Sequence, residues 1–126
     1  MLAEDDLDAR LKQIDERFSQ MLLRKIDEKG MTDVECYKKA NVTKQTWYKI
    51  MNDKDYRPSK NTVLSFAIAL SLSLTETEAL LETVGLALSH SSKFDVVIEY
   101  FLREEVYDVF LINEMLFKFD LPTLGI

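Results

Sequence analysis

Between Thr32 and Ser73 the chain carries three helix-start signals in close succession, and this crowding limits the fold more than any other feature. Thr32-Asp33-Val34-Glu35 has the capping-box pattern, in which Thr accepts from the backbone of the first turn and Glu reaches back to the cap. That spacing predicts a short helix ending near Lys39, with Asn41 suited to the left-handed position that follows. Thr43 then caps a second helix, KQTWYKIMN, and Ser59 caps a third, NTVLSFAIALSL. In this register Val34, Trp47 and Ile50 face inward, with Val42 in the turn. Lys44, Gln45, Thr46, Tyr48 and Lys49 are left facing out.

The flanks also read as helices. Leu7, Leu11, Ile14, Phe18 and Met21 recur at four- and three-residue steps, which predicts one helix over residues 5–29 stopped by Gly30. Thr75-Glu76-Thr77-Glu78 is a further capping-box pattern, opening a helix through about Val84, and Gly85 ends it. Ser89-His90-Ser91-Ser92 is the clearest polar boundary, too short for a flexible linker. Ser91 or Ser92 can cap a helix containing KFDVVIEYFLREE. A last helix, starting near Val106 or Tyr107, contains VFLINEMLFKF and is apolar on more than one side. Such a helix belongs in a core or an interface. Pro122 ends it, and the tail to Ile126 reads as a frayed terminus, with folding back or docking elsewhere as the alternatives.

Only three Gly and two Pro in 126 residues argue against a turn-rich β fold, and the expectation is an all-α protein. No apolar run approaches 18 residues, so no membrane span is expected. The acidic start MLAEDDLDAR does not read as a signal peptide, and a single cysteine, Cys36, fits a reducing cytoplasm. With one His and one Cys there is no usual zinc set and no readable nucleophile pair, so neither enzyme nor metal nor cofactor is expected. Cys36 reads as a small buried residue.

Net charge is −6, which argues against a simple nucleic-acid binder. Its distribution is uneven. Residues 31–60 are net +3, whereas residues 1–30, 61–90 and 91–126 are net −2, −3 and −4. The capped middle segment is the only positive one. A basic binding face and an ordinary solvated helix face both account for that pattern.

The segment Thr32–Ser73 resembles the helix-turn-helix of the phage-repressor (Cro-like, XRE-like) family. Cys36 stands where that family usually has Ala, and Asn41-Val42-Thr43 where it usually has Gly-Val-Ser. Trp47 and Ile50 fill two apolar positions of the second helix, and the match closes at Phe66–Ser73. Asp33 departs from a Gln often found there, and Met51-Asn52-Asp53 from Glu-x-Gly. The resemblance covers roughly residues 18–86. It implies a five-helix repressor-like core over 18–88, with an N-terminal helical extension over 1–17. Residues 89–126 form a C-terminal helical pair packed on the core or on a dimer partner.

The function it implies is sequence-specific binding of double-stranded DNA by a homodimer, as in a transcriptional regulator. In this motif the start of the second helix reads base edges in the major groove. Here those residues are Lys44, Gln45 and Thr46, with Tyr48 and Lys49 one turn on. Gln pairs with adenine, Lys donates to guanine acceptors, and Thr offers a hydroxyl and a methyl. Lys54, Arg57, Lys60 and Asn61 are placed for phosphates, with the backbone N–H groups of Asn61 and Thr62. The rival reading is a protein-docking module of the same fold that binds DNA weakly or not at all. RNA is a weaker option, because no platform of exposed aromatics is evident.

Overall fold

The computed structural model describes residues 3–13 and 16–125. Among them the chain forms eight helices and no strand. In order they are α1 (Glu4–Leu11), α2 (Phe18–Glu28), α3 (Asp33–Lys39), α4 (Lys44–Asn52), α5 (Lys60–Ala69), α6 (Leu74–Glu82), α7 (Lys93–Arg103) and α8 (Val109–Lys118). No helix among the described residues is long and apolar enough to cross a membrane.

α5 sits at the centre, buried from Val63 through Leu70. It packs against α3 and α6; α2 packs against α3 and α6, and α7 bridges α6 to α8. One apolar cluster runs from Phe18 of α2 to Leu124 of the tail, so residues 89–125 share a core with what precedes them. Phe66 ties three helices together, its ring 6.4 Å from Phe18 and 6.1 Å from Trp47.

The expected caps at Thr32, Thr43, Ser59 and Ser92 all form, each accepting from the backbone N–H three residues on. Asn41 takes the left-handed backbone, φ 55. Five expectations need correcting. The helix expected over 5–29 is two helices, because Arg17 is extended (ψ 165) and caps a fresh start. Its N–H donates to Gln20 Oε1 at 2.8 Å, and Arg24 pairs with Glu16 just before α2 and with Glu28 one turn on within it. Leu7 and Leu11 are each 57% exposed, so the heptad-like spacing found no surface to hold α1 in line with α2. Ile14 of that stripe lies outside the described residues.

Val34, expected inward, is exposed; Cys36, Tyr37 and Ala40 take the inner arc of α3 and leave Val34 on the far side. The cap of α6 is Ser73 rather than Thr75. Ser73 Oγ accepts from Glu76 N–H and Glu76 Oε1 from Ser73 N–H. The left-handed Ser71 (φ 52) ends α5 early and moves the next start forward. α8 begins only at Val109, capped by Asp108, because the left-handed Glu105 (φ 55) turns the chain and Tyr107 Oη anchors to Leu72 O at 2.8 Å.

The tail is also not frayed. Leu124 is buried, and Asn113 holds its backbone at both ends through Oδ1 and Nδ2. Asn61 Nδ2 donates to Thr123 O, Asn61 Oδ1 accepts from Gly125 N–H, and Asn41 Nδ2 donates to Gly125 O. Gly125 has φ 75, and a Cβ there would stand 3.0 Å from Asn41 Cβ and 3.1 Å from Ala40 O. Gly125→Ala should therefore destabilise the fold by about 1–3 kcal/mol in urea unfolding. Gly30→Ala, with nothing within 4 Å of the added carbon, should cost less.

Lys25 on α2 pairs with Glu76 on α6 at 2.8 Å. The Lys25 ammonium and the Ser73 amide hold the Glu76 carboxyl down at about 2, from 4.5. A depressed folded-state value stabilises the fold above the unfolded value and is lost as pH falls through the folded one. The stability difference between wild type and Glu76→Gln should thus be full near neutrality and shrink from about pH 4.5 towards pH 2. Chemical denaturation at a series of pH values reads this directly.

Candidate nucleic-acid interface

α4 is a nine-residue helix with one polar and one apolar side. Its apolar side is set by Ile50, which is buried, and by Trp47, which lies between two rings. The Trp47 ring is 5.4 Å from Tyr37 and 6.1 Å from Phe66. Trp47 is thus a half-buried part of the core rather than a free stacking surface. With those two turned in, helical periodicity turns Lys44, Gln45, Tyr48, Lys49 and Asn52 out as one stripe. All five are exposed, Tyr48 at 66%.

Thr46 differs from the other residues expected at base edges. It is half-buried, and its hydroxyl and N–H both engage Thr43 Oγ1, at 3.0 and 3.1 Å. Asn52 was not singled out from sequence. It lies four residues after Tyr48, to whose carbonyl its amide donates at 2.9 Å, so the same spacing that picks out Gln45 and Tyr48 could have found it.

Around this stripe lie Lys38 and Lys39 at the end of α3, and Lys54 and Arg57 in the loop after α4. All four are exposed, and no ion pair among the described residues involves them, Lys44 or Lys49. The loop is shaped by Asp53, whose carboxylate accepts from Asp55 N–H at 3.0 Å and whose carbonyl accepts from Tyr56 N–H at 3.0 Å. That leaves Asp33, Glu35, Asp53 and Asp55 as the acids of the segment, with Glu35 accepting from Thr32 N–H.

Two residues expected at phosphates are engaged elsewhere. Lys60 Nζ is 2.8 Å from Asp95 Oδ2, and Asp95, 1% exposed, also accepts from Ser89 N–H at 2.8 Å. Asn61 spends both ends of its side chain on the tail. The Thr62 N–H at the same helix start is taken by Ser59 Oγ. The start of α5 therefore belongs to the docking of the C-terminal segment. The face that remains open consists of α4, the end of α3 and the loop at Lys54 and Arg57.

Beside the C-terminal end of α4 lies an open cleft of about 790 Å³, bordered by Arg17, Phe18, Met51, Lys54, Tyr56 and Arg57. Its charges are mixed, with Glu16, Asp53 and Asp55 on the same rim. Cys36 is fully buried, and burial pushes its thiol up to about 12, so it is neutral and out of reach at physiological pH. His90, in its exposed loop, contacts Glu99 at 3.0 Å. No group of three or more metal-ligating side chains occurs among the described residues.

No family model, curated protein or solved structure matches the chain.

The rotation of α4 can be checked without any ligand. Trp47→Ala should cost about 2–4 kcal/mol in stability, because it empties the space between Tyr37 and Phe66. Lys49→Glu, two residues along, should change stability by no more than about 0.5 kcal/mol. Equal costs would mean that the helix is turned differently.

Proposed function

We propose that the chain is a sequence-specific binder of double-stranded DNA, acting in the cytoplasm as a dimeric transcriptional regulator. In this reading α3 and α4 form a helix-turn-helix within a five-helix repressor-like core, and α4 enters the major groove. The observation that carries the reading is the exposed stripe of Lys44, Gln45, Tyr48 and Lys49 on a helix whose other side is locked by Trp47 and Ile50. This stripe lies in the one positive segment of an acidic chain.

The roles divide by chemistry. Gln45 reads adenine through its amide, and Lys44 and Lys49 donate to guanine O6 and N7. Tyr48 and Asn52 extend the same edge, and Thr46 contributes its methyl more readily than its hydroxyl, which is bonded to Thr43. Lys54 and Arg57 hold phosphates, fixing register without reading sequence. Lys60 and Asn61 act one step back, by fastening the C-terminal segment to the start of α5.

A second reading is a protein-docking module on the same fold. The acids Asp33, Glu35, Asp53 and Asp55 favour it, because they sit among the cations where a phosphate backbone would be repelled.

A duplex-binding titration at several salt concentrations separates the two. Phosphate contacts by Lys54 and Arg57 should give a log–log slope of roughly −2 per protomer, at about −0.9 per contact. Lys54→Ala should lower affinity on all sequences alike and reduce the slope by about one. Gln45→Ala should lose about 1–3 kcal/mol on the preferred sequence only. The Lys44→Glu, Lys49→Glu double variant should fold normally and not bind. No binding by wild type at low salt, or a flat salt dependence, would favour the docking module.

A further inference from the structure

Among the described helices α1 alone buries none of its residues, and every residue from Ala3 to Gln13 is exposed. A helix of eight residues does not hold its shape well in water, where isolated helices shorter than about 12–15 residues are marginal. Its two internal pairs, Asp6–Arg10 at 3.5 Å and Asp8–Lys12 at 3.1 Å, are solvated and add little. Such a helix is completed by a surface that receives it.

The make-up of α1 narrows the choice of surface. Leu7 and Leu11, each 57% exposed, stand one turn apart on one side, with Glu4 and Asp8 along the edge of that side. Residues 4–11 hold four acids against one base, net −3. The exposed phenylalanines of α8 are a poor match, because Asp108, Glu114 and Asp120 lie on that helix or at its ends against Lys118 alone. The α4 face is complementary. Tyr48, 66% exposed, lies within the outer stripe of α4 with Lys44 to one side of it and Lys49 to the other. Lys54 and Arg57 follow, and none of these four cations is in an ion pair among the described residues.

Reach agrees with charge. Residues 12–17 join α1 to α2, and six residues span at most about 20 Å. α2 begins beside the end of α4, because Arg17 and Phe18 border the same cleft as Met51, Lys54 and Arg57. The two helices also match in length, about 12 Å for α1 and about 14 Å for α4. A tether this short sets an effective concentration of order millimolar, so α1 meets the α4 of its own chain before that of a second copy.

We infer that α1 is an acidic strap whose docking site is the α4 face of its own chain. Leu7 and Leu11 lie on the Tyr48 ring, and the acids of α1 turn towards Lys44, Lys49, Lys54 and Arg57. The structure has the strap open, with both surfaces exposed. A ligand that takes the α4 face displaces the strap, which sets a threshold for binding there. The docking rests on charge, reach and apolar match, and holds whatever the ligand of α4 is.

A nitroxide attached through Ala3→Cys, at the end of α1 far from the tether, tests the inference on the full chain without DNA. Cys36 is fully buried, with its thiol pushed up to about 12, so the label goes to position 3. At low salt the amides of Lys44–Asn52 should lose intensity by paramagnetic broadening, and those of α8 should not. At about 1 M salt, where charges are screened beyond about 3 Å, most of that intensity should return. The triple variant Asp5→Asn, Asp6→Asn, Asp8→Asn should return it at low salt with an unchanged melting temperature, because α1 buries nothing. Nitroxide-bearing chains mixed with isotope-labelled, nitroxide-free chains should give no broadening, because the contact is within one chain.

Unchanged α4 amides at low salt overturn the inference. Broadening that centres on α8, that survives the triple variant, or that appears only between chains also overturns it. Because no duplex is present, failure here leaves the duplex titration to decide the proposed function, and a chain that binds no duplex still shows the docking if the strap exists.

Discussion

The packing of α2, α3, α4 and α6 depends on one stretch of α5 that water does not reach. Val63 to Leu70 are all nearly inaccessible, Ser65 included, its hydroxyl donating to Asn61 O. A helix buried all round has no polar face to orient it, so its neighbours must be fixed by shape and by its ends. Phe66 supplies the shape, meeting Phe18 of α2 on one side and Trp47 of α4 on the other. The ends supply direction. Ser59 caps the start, Lys60 and Asn61 bind the C-terminal segment there, and the left-handed Ser71 turns the chain out at the finish.

The surface follows from that core. Once Trp47 is held between Tyr37 and Phe66, the rotation of α4 is set, and its lysines, Gln45 and Tyr48 have no route but outward. Charge is sorted by the same packing. Buried or half-buried acids take cations near them, Asp95 with Lys60 and Glu76 with Lys25, while the cations around α4 stay unpaired among the described residues. Desolvated pairs of this kind hold elements in register, and solvated lysines remain able to meet an outside anion. The C-terminal segment closes off the start of α5 and in doing so narrows the open basic face to α4, the end of α3 and the following loop. The outward phenylalanines of α8, Phe110 and Phe117, are a second exposed surface.

Local chemistry was legible in the sequence, and long-range contact was not. The helix starts at Thr32, Thr43, Ser59 and Ser92 and the turn at Asn41 could be read because a cap is decided by residues three or four apart. The start of α6 fell at Ser73 rather than Thr75 because α5 ends early at the left-handed Ser71, which local spacing did not reveal. The break at Arg17 was hidden for the same reason. Leu7 and Leu11 keep helical spacing with Phe18, but spacing does not say whether a surface exists to receive them. The buried Asp95, the docked tail and the outward Phe110 and Phe117 all depend on residues tens of positions away. The exposure of Lys44, Gln45, Tyr48, Lys49, Lys54 and Arg57 was readable from periodicity and charge, whereas the half-burial of Thr46 and the capture of Lys60 and Asn61 were not.

The most direct measurement is a backbone amide NMR titration of the full chain with a selected duplex. The account predicts that shifts and line broadening concentrate in residues 43–57, with the amides of Val63–Leu70 unmoved beneath them. Undisturbed spectra at saturating duplex, or changes centred on α8 with α4 silent, would contradict it.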